Sequence, residues 1–167
     1  MRLLKYLYVL SVLVFSAVQM VTFPLLPQTM ASHFSIHMTP NGYMPKLQYF
    51  ISVVSTFALI NLLSLVVTAL LPGIPSPLIN APKRQFWMRP ENKPAFIDIM
   101  KERFYGFLFI INSIFTIVAY LVFKANKSDP IVLNAGIHIV IIIAFVMIFF
   151  GAIQLIVRLN RVDQDGN

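Results

Sequence analysis

The 167-residue chain has no cysteine, six acidic residues and charged side chains at only 11% of its positions. Without cysteine there is no disulfide framework, no thiolate nucleophile and no cysteine-type zinc or iron–sulfur site. A soluble domain carries about a quarter charged residues, so this chain has too little polar surface to cover a water-facing globule. Sustained charged heptads are missing, which excludes a coiled coil, and 58% hydrophobic residues exclude disorder and collagen. What is present is a set of long apolar runs, with a mean hydropathy of +0.79. They define a small integral membrane protein.

Four segments, at about 3–23, 49–71, 104–123 and 133–157, are long enough for a hydrocarbon core of about 30 Å, which needs about 20 helical residues. None holds an acidic residue, and the one basic residue, Lys5, sits near an end. Backbone groups facing lipid must be satisfied within their own segment, so helix is expected. All eleven prolines fall at segment ends or between segments. The fold predicted is an all-α membrane protein, a single domain over 1–167, with an outer loop at 24–48 and a cytoplasmic loop at 72–103.

Basic residues give the orientation. Arg2, Lys5, the loop residues Lys83, Arg84, Arg89, Lys93, Lys101 and Arg103, and then Arg158 and Arg161 fall on one side. Only Lys46, Lys124 and Lys127 fall on the other. The positive-inside rule puts both termini in the cytoplasm. The net charge of +7 is then a topology and headgroup signal, and no nucleic-acid partner is expected. Arg2 and Lys5 before an apolar stretch resemble a signal peptide, but no small-x-small cleavage site follows. Retention of the first helix is expected.

Local signals refine the loops. Thr29 is placed to cap a short helix through Phe34, and Asn41-Gly42 reads as a turn. Pro94 reads as a first-turn proline, with Phe96, Ile97, Met100 and Phe104 at helical spacing beyond it. The third helix is therefore expected to run unbroken over Pro94–Phe123, extended at its cytoplasmic end. Lys101 and Arg103 are assigned to its solvated surface, and Phe86 and Trp87 to interfacial anchoring.

Candidate chemistry is sparse. His33 and His37 would share a helix face, and His138 starts the fourth helix on the same side. Together they form a candidate divalent-metal site. The alternative is interfacial or hydrogen-bonded structural histidines. Apart from that metal, no cofactor is expected. Asn61, Asn112, Thr116, His138 and Gln154 are polar residues inside apolar segments, and such residues join helices through hydrogen bonds. A solute path would use the same residue types, although no intramembrane charge marks one. The carboxylates Glu91, Asp98, Glu102, Asp129, Asp163 and Asp165 lie in loops, at membrane borders or in the tail. No hydrolase, metalloprotease, P-loop or dinucleotide motif occurs, so no enzymatic activity is expected.

Three ordered patterns carry a resemblance. The outer-loop string Leu26-Pro27, His33-Phe34, Pro40-Asn41-Gly42-Tyr43 and Lys46 resembles the L-P … H-F-N-x-x-G-x-P-D-G-x-x-S-K signature of the bacterial domain-of-unknown-function 1648 family. Phe86-Trp87-Met88-Arg89-Pro90-Glu91 is similar to the Y-W-L-x-P-E-R segment of its four-helix members, and Ala125-Asn126 to their V-x-A-N ending. The chain departs from the signature at Ser35, Met38, Asn41 and Pro45, where the pattern has Asn, Gly, Asp and Ser. The resemblance implies a multi-pass protein of the bacterial inner membrane, sharing a module with SdpI-type immunity and signalling proteins.

Two functions remain in view. In the first, the outer loop recognises a membrane or extracytoplasmic protein, or the chain is an accessory subunit of a membrane complex. Its contact residues would be His33, Phe34, His37, Asn41, Gly42, Tyr43 and Lys46. In the second, the chain is a small-solute or ion transporter or channel built as a homo-oligomer.

Overall fold

The computed structural model describes residues 2–161. Asp163 and Asp165, assigned above to the tail, lie outside the described residues. Four helices are long and apolar enough to cross a membrane, the architecture of a multi-pass membrane protein. They are α1 (Arg2–Thr22), α2 (Lys46–Leu70), α4 (Lys93–Ala125) and α5 (Gly136–Asn160). A single-turn helix, α3 (Arg84–Trp87), stands in the loop between α2 and α4.

The 33-residue α4 is the centre of the arrangement. Helix α1 packs along it, while α2 and α5 lean on it more lightly. Pro94 does sit in its first turn, and Phe96 and Ile97 are buried as the helical spacing implies; Met100 and Phe104 are half-buried, and Ile99, outside that pattern, is buried with them. Large apolar side chains of α2 and α5 point away from the protein, among them Leu62, Leu63, Ile142, Phe145 and Phe149. A surface that apolar is stable in lipid and not in water.

Polar side chains meet in the middle of the bundle. Fully buried Asn112 of α4 exchanges two hydrogen bonds with Asn61 of α2, at 3.0 and 3.1 Å, and donates a third to Ser11 Oγ of α1 at 3.1 Å. Asn61 also donates to its own Phe57 carbonyl, and Ser11 to Tyr8. Every amide hydrogen of the two asparagines is thus used. One turn nearer the α1 C-terminus, the Phe15 and Phe57 rings stack at 3.8 Å with Phe115 edge-on.

The all-α expectation needs correction. Residues 24–48 hold an antiparallel hairpin, β1 (Thr29–Phe34) with β2 (Pro40–Pro45). The helix expected from Thr29 does not form, because β1 gains a pairing partner and a buried seat that one exposed helical turn would lack. At the opposite end Trp87 is not an interfacial anchor. It is buried with Leu71, Phe96, Ile97, Ile99 and Leu159, and its Nε1 donates to the Leu159 carbonyl at 3.0 Å.

Candidate functional site

The hairpin is the most distinctive surface, and its placement follows from a few residues. Pro40 and Pro45 stand at the two ends of β2, where a missing N–H costs the ladder least. The base closes through Lys46 N–H donating to the Gln28 carbonyl at 2.9 Å. At the tip, Ser35 N–H donates to Thr39 O at 2.8 Å and Met38 N–H to Ser35 O at 3.0 Å. That turn puts Met38 at φ 63°, in the left-handed region. Asn41 and Gly42 are therefore strand residues, not the expected turn, which lies at Ser35–Thr39.

The ladder is irregular between Ala31 and Phe34, where Ser32 is the extra residue opposite Gly42 and Tyr43. His33 pairs with Gly42 and its ring lies against it. A Cβ at Gly42 would come within 3.1 Å of His33 Cβ and 3.2 Å of Nδ1. The Ser32 hydroxyl is 3.0 Å from the same Nδ1.

One face of the hairpin is pinned to the helices. Met30 and Ala31 are fully buried; Met30 packs with Leu26, Tyr49, Val122, Ala125 and Leu133, and Phe34, Met38 and Met44 pack at the edge of that cluster. Asn126, the residue that ends α4, accepts from Ala31 N–H at 2.7 Å and donates to Ala31 O at 2.9 Å. It also donates to its own Val122 carbonyl at 2.9 Å. The amide acts as a piece of neighbouring strand for one residue of β1. The link to α5 adds a further tie, Leu133 N–H to Met38 O at 2.9 Å.

The expected contact residues divide. His33, His37, Asn41 and Tyr43 are exposed, as is Ile36 at the tip, which the sequence did not single out. Phe34 turns toward the core cluster, Gly42 lies under His33, and Lys46 is half-buried with Nζ 5.4 Å from the Phe23 ring centre. His33 lies in a strand and His37 in the turn, so the shared helix face does not exist. The exposed His138 completes no cluster with them, and among the described residues no group of three or more His, Asp or Glu could hold a metal ion.

The polar residues inside the spans also divide. Asn61 and Asn112 meet as described. Thr116 bonds back to the Asn112 carbonyl of its own helix. Gln154 of α5 accepts from Arg103 Nη1 of α4 at 3.1 Å, so Arg103 is half-buried at a helix junction and not on the solvated surface expected for it. The His138 side chain makes no hydrogen bond to another helix among the described residues.

Asn126, Ser11 and Trp87 carry long-range bonds that sequence reasoning missed, as do Arg103 with Gln154 and Arg158 with Glu102. Asn126 stood inside a quoted motif, directly after the last apolar residue of α4, a position where an amide can cap the helix. Comparison of the chain with protein-family models, with curated proteins and with solved structures found no match.

Proposed function

We propose that the hairpin is a partner-recognition surface on the extracytoplasmic face of a bacterial inner membrane, held there by a non-enzymatic four-helix anchor. The observation that carries this reading is the Asn126–Ala31 clamp beneath a face that stays open. Ile36 and Tyr43 are 81% and 59% exposed on a hairpin whose other face is fixed to the helices. A connection serving only to join two helices needs neither a ladder nor a clamp. An edge strand with exposed Tyr43, next to a turn with exposed Ile36, suits an extended segment of another protein.

The orientation is supported by charge: the hairpin end carries Lys46, Lys124 and Lys127, and the remaining basic residues belong to the other end. Membership of the domain-of-unknown-function 1648 family is supported by the backbone. Met38 takes its left-handed φ at the position where the signature has glycine, and Gly42 matches a signature glycine. That membership would bring with it a role in sensing or neutralising an extracytoplasmic agent. The mutual satisfaction of Ser11, Asn61 and Asn112 favours a helix-joining role for them over a solute path.

The test is photo-crosslinking in native membranes from a probe at Tyr43, with a probe at lipid-facing Phe149 as control. A protein captured from Tyr43 alone, and lost in His33→Ala or Ile36→Asp protein that still inserts, is the expected result. Equal capture from both probes, or capture indifferent to both substitutions, overturns the reading.

A further inference from the structure

At the end of the molecule opposite the hairpin, α1 and α5 both rest on α4 and leave a cleft between them. It is a groove of about 510 Å³ lined by Leu4 and Leu7 of α1, Phe107 and Ile110 of α4, and Met147 and Gly151 of α5, among other apolar residues. That is within the usual size of a ligand site. A Cβ added at Gly151 would meet nothing within 4 Å, so the space there is open.

The groove runs to Arg103 and Gln154, and those two residues also line a second cavity of about 590 Å³. The second cavity is bounded by Trp87, Ile99, Val157, Arg158 and Arg161. Its character is cationic. Arg158 is paired with Glu102 at 3.0 Å, which leaves Arg103 and Arg161 as the positive charge in excess. Arg103 spends one Nη on Gln154, while its Nε is buried with no hydrogen-bond partner among the described residues. A buried guanidinium N–H without an acceptor is costly, and a charged oxygen is the strongest of the acceptors that relieve the cost.

An apolar slot between α1, α4 and α5 therefore meets, at Arg103 and Gln154, a cavity that Arg103 lines together with Arg158 and Arg161 near the end of α5. We propose that this continuous site binds an anionic glycerophospholipid of the bilayer, with an acyl chain in the groove and the phosphate on Arg103 and Arg161. Neither half suits another occupant as well. A free anion would leave the groove empty, and a zwitterionic lipid would bring its own ammonium to the arginines. The site is independent of the hairpin reading and of which way the chain crosses the membrane.

Trp87 is the only tryptophan and lines the cationic cavity, so it reports on a lipid whose bromines are carried on the acyl carbons nearest the glycerol. The full chain would be reconstituted in phosphatidylcholine bilayers containing a minor fraction of either dibrominated phosphatidylglycerol or dibrominated phosphatidylcholine. Bromine quenches tryptophan fluorescence at short range. A preference of about fivefold or more for phosphatidylglycerol is expected, consistent with a charge-assisted contact. Arg103→Gln should abolish the preference, and Lys101→Gln, with the same charge lost from the same helix, should leave it. Gly151→Leu should reduce quenching by filling the groove. Equal quenching by both lipids in the unaltered protein overturns the proposal, and this comparison decides alone if a variant fails to fold. A preference that survives Arg103→Gln, or falls equally with Lys101→Gln, also overturns it. Release of the quenching by inorganic phosphate would make the site one for a free anion, not for lipid.

Discussion

Asn126 holds both backbone groups of Ala31, a residue 95 positions earlier, with one side-chain amide at 2.7 and 2.9 Å. Both partners are buried, so neither the amide nor the peptide has water to fall back on. Asn126→Ala leaves a buried N–H and C=O unpaired, a loss of about 1–3 kcal/mol. The effect should be local. Hydrogen exchange is expected to rise across 29–45 while the middle of α4 stays protected. Equal loosening of hairpin and helices would mean that the clamp is not the hairpin's main tie.

The Asn61–Asn112 pair should show the asymmetry of buried hydrogen bonds. Asn112→Leu strands the Asn61 amide and removes a donor to Ser11, with an expected cost of about 1–3 kcal/mol in a reversible unfolding titration in mixed micelles. Asn61→Leu combined with Asn112→Leu should recover much of that loss, because no amide is then left unpaired. A double variant as unstable as the sum of the singles would point to packing instead.

Gly42 is needed for space, not for a turn. Gly42→Ala would push a methyl to 3.1 Å from His33 Cβ, and an overpacked contact of this kind costs about 1–3 kcal/mol. His33→Ala still carries a Cβ, but it removes the ring that prevents relief. Gly42→Ala should therefore be milder in the His33→Ala background than alone. Thermal unfolding of the four proteins measures the coupling.

Trp87 fastens the end of α5 to the short α3. Trp87→Phe keeps a ring in the cluster and removes only the bond to the Leu159 carbonyl, a loss of about 1 kcal/mol. Faster amide exchange over the last turn of α5, with α4 unchanged, is the expected signature.

The helices were readable because lipid imposes one rule on every residue of a span. The four apolar runs follow from it directly, and the burial of Phe96 and Ile97, outside the expected span, from helical spacing. The hairpin was not readable, for two reasons. Its strands hold Ser32, Asn41 and Gly42, which favour loops, and it is irregular at Ser32, which breaks the two-residue alternation. Asn41-Gly42 carried a true hairpin signal at the wrong position. Met38, whose side chain gives no hint of a left-handed backbone, occupies the real turn. The histidine spacing misled for the same reason: i and i+4 share a face only on a helix, and tertiary contacts with Asn126 and Leu133 favour the extended chain here. Gln154 and Arg103 meet across two helices, a pairing no spacing within one helix can reveal.

The central position of α4 has a consequence for the order of events during synthesis. Ser11, Ala31 and Asn61 all leave the ribosome before Asn112 and Asn126, the residues that bind them. For that interval the first two helices lie in the bilayer with nothing to share but contacts such as the Phe15–Phe57 stack. The hairpin between them waits unfastened. Arrival of the third span then completes the mid-membrane node and the clamp together. A chain halted before residue 112 would lack both Asn112 of the node and Asn126 of the clamp, and its hairpin would have no amide to hold Ala31.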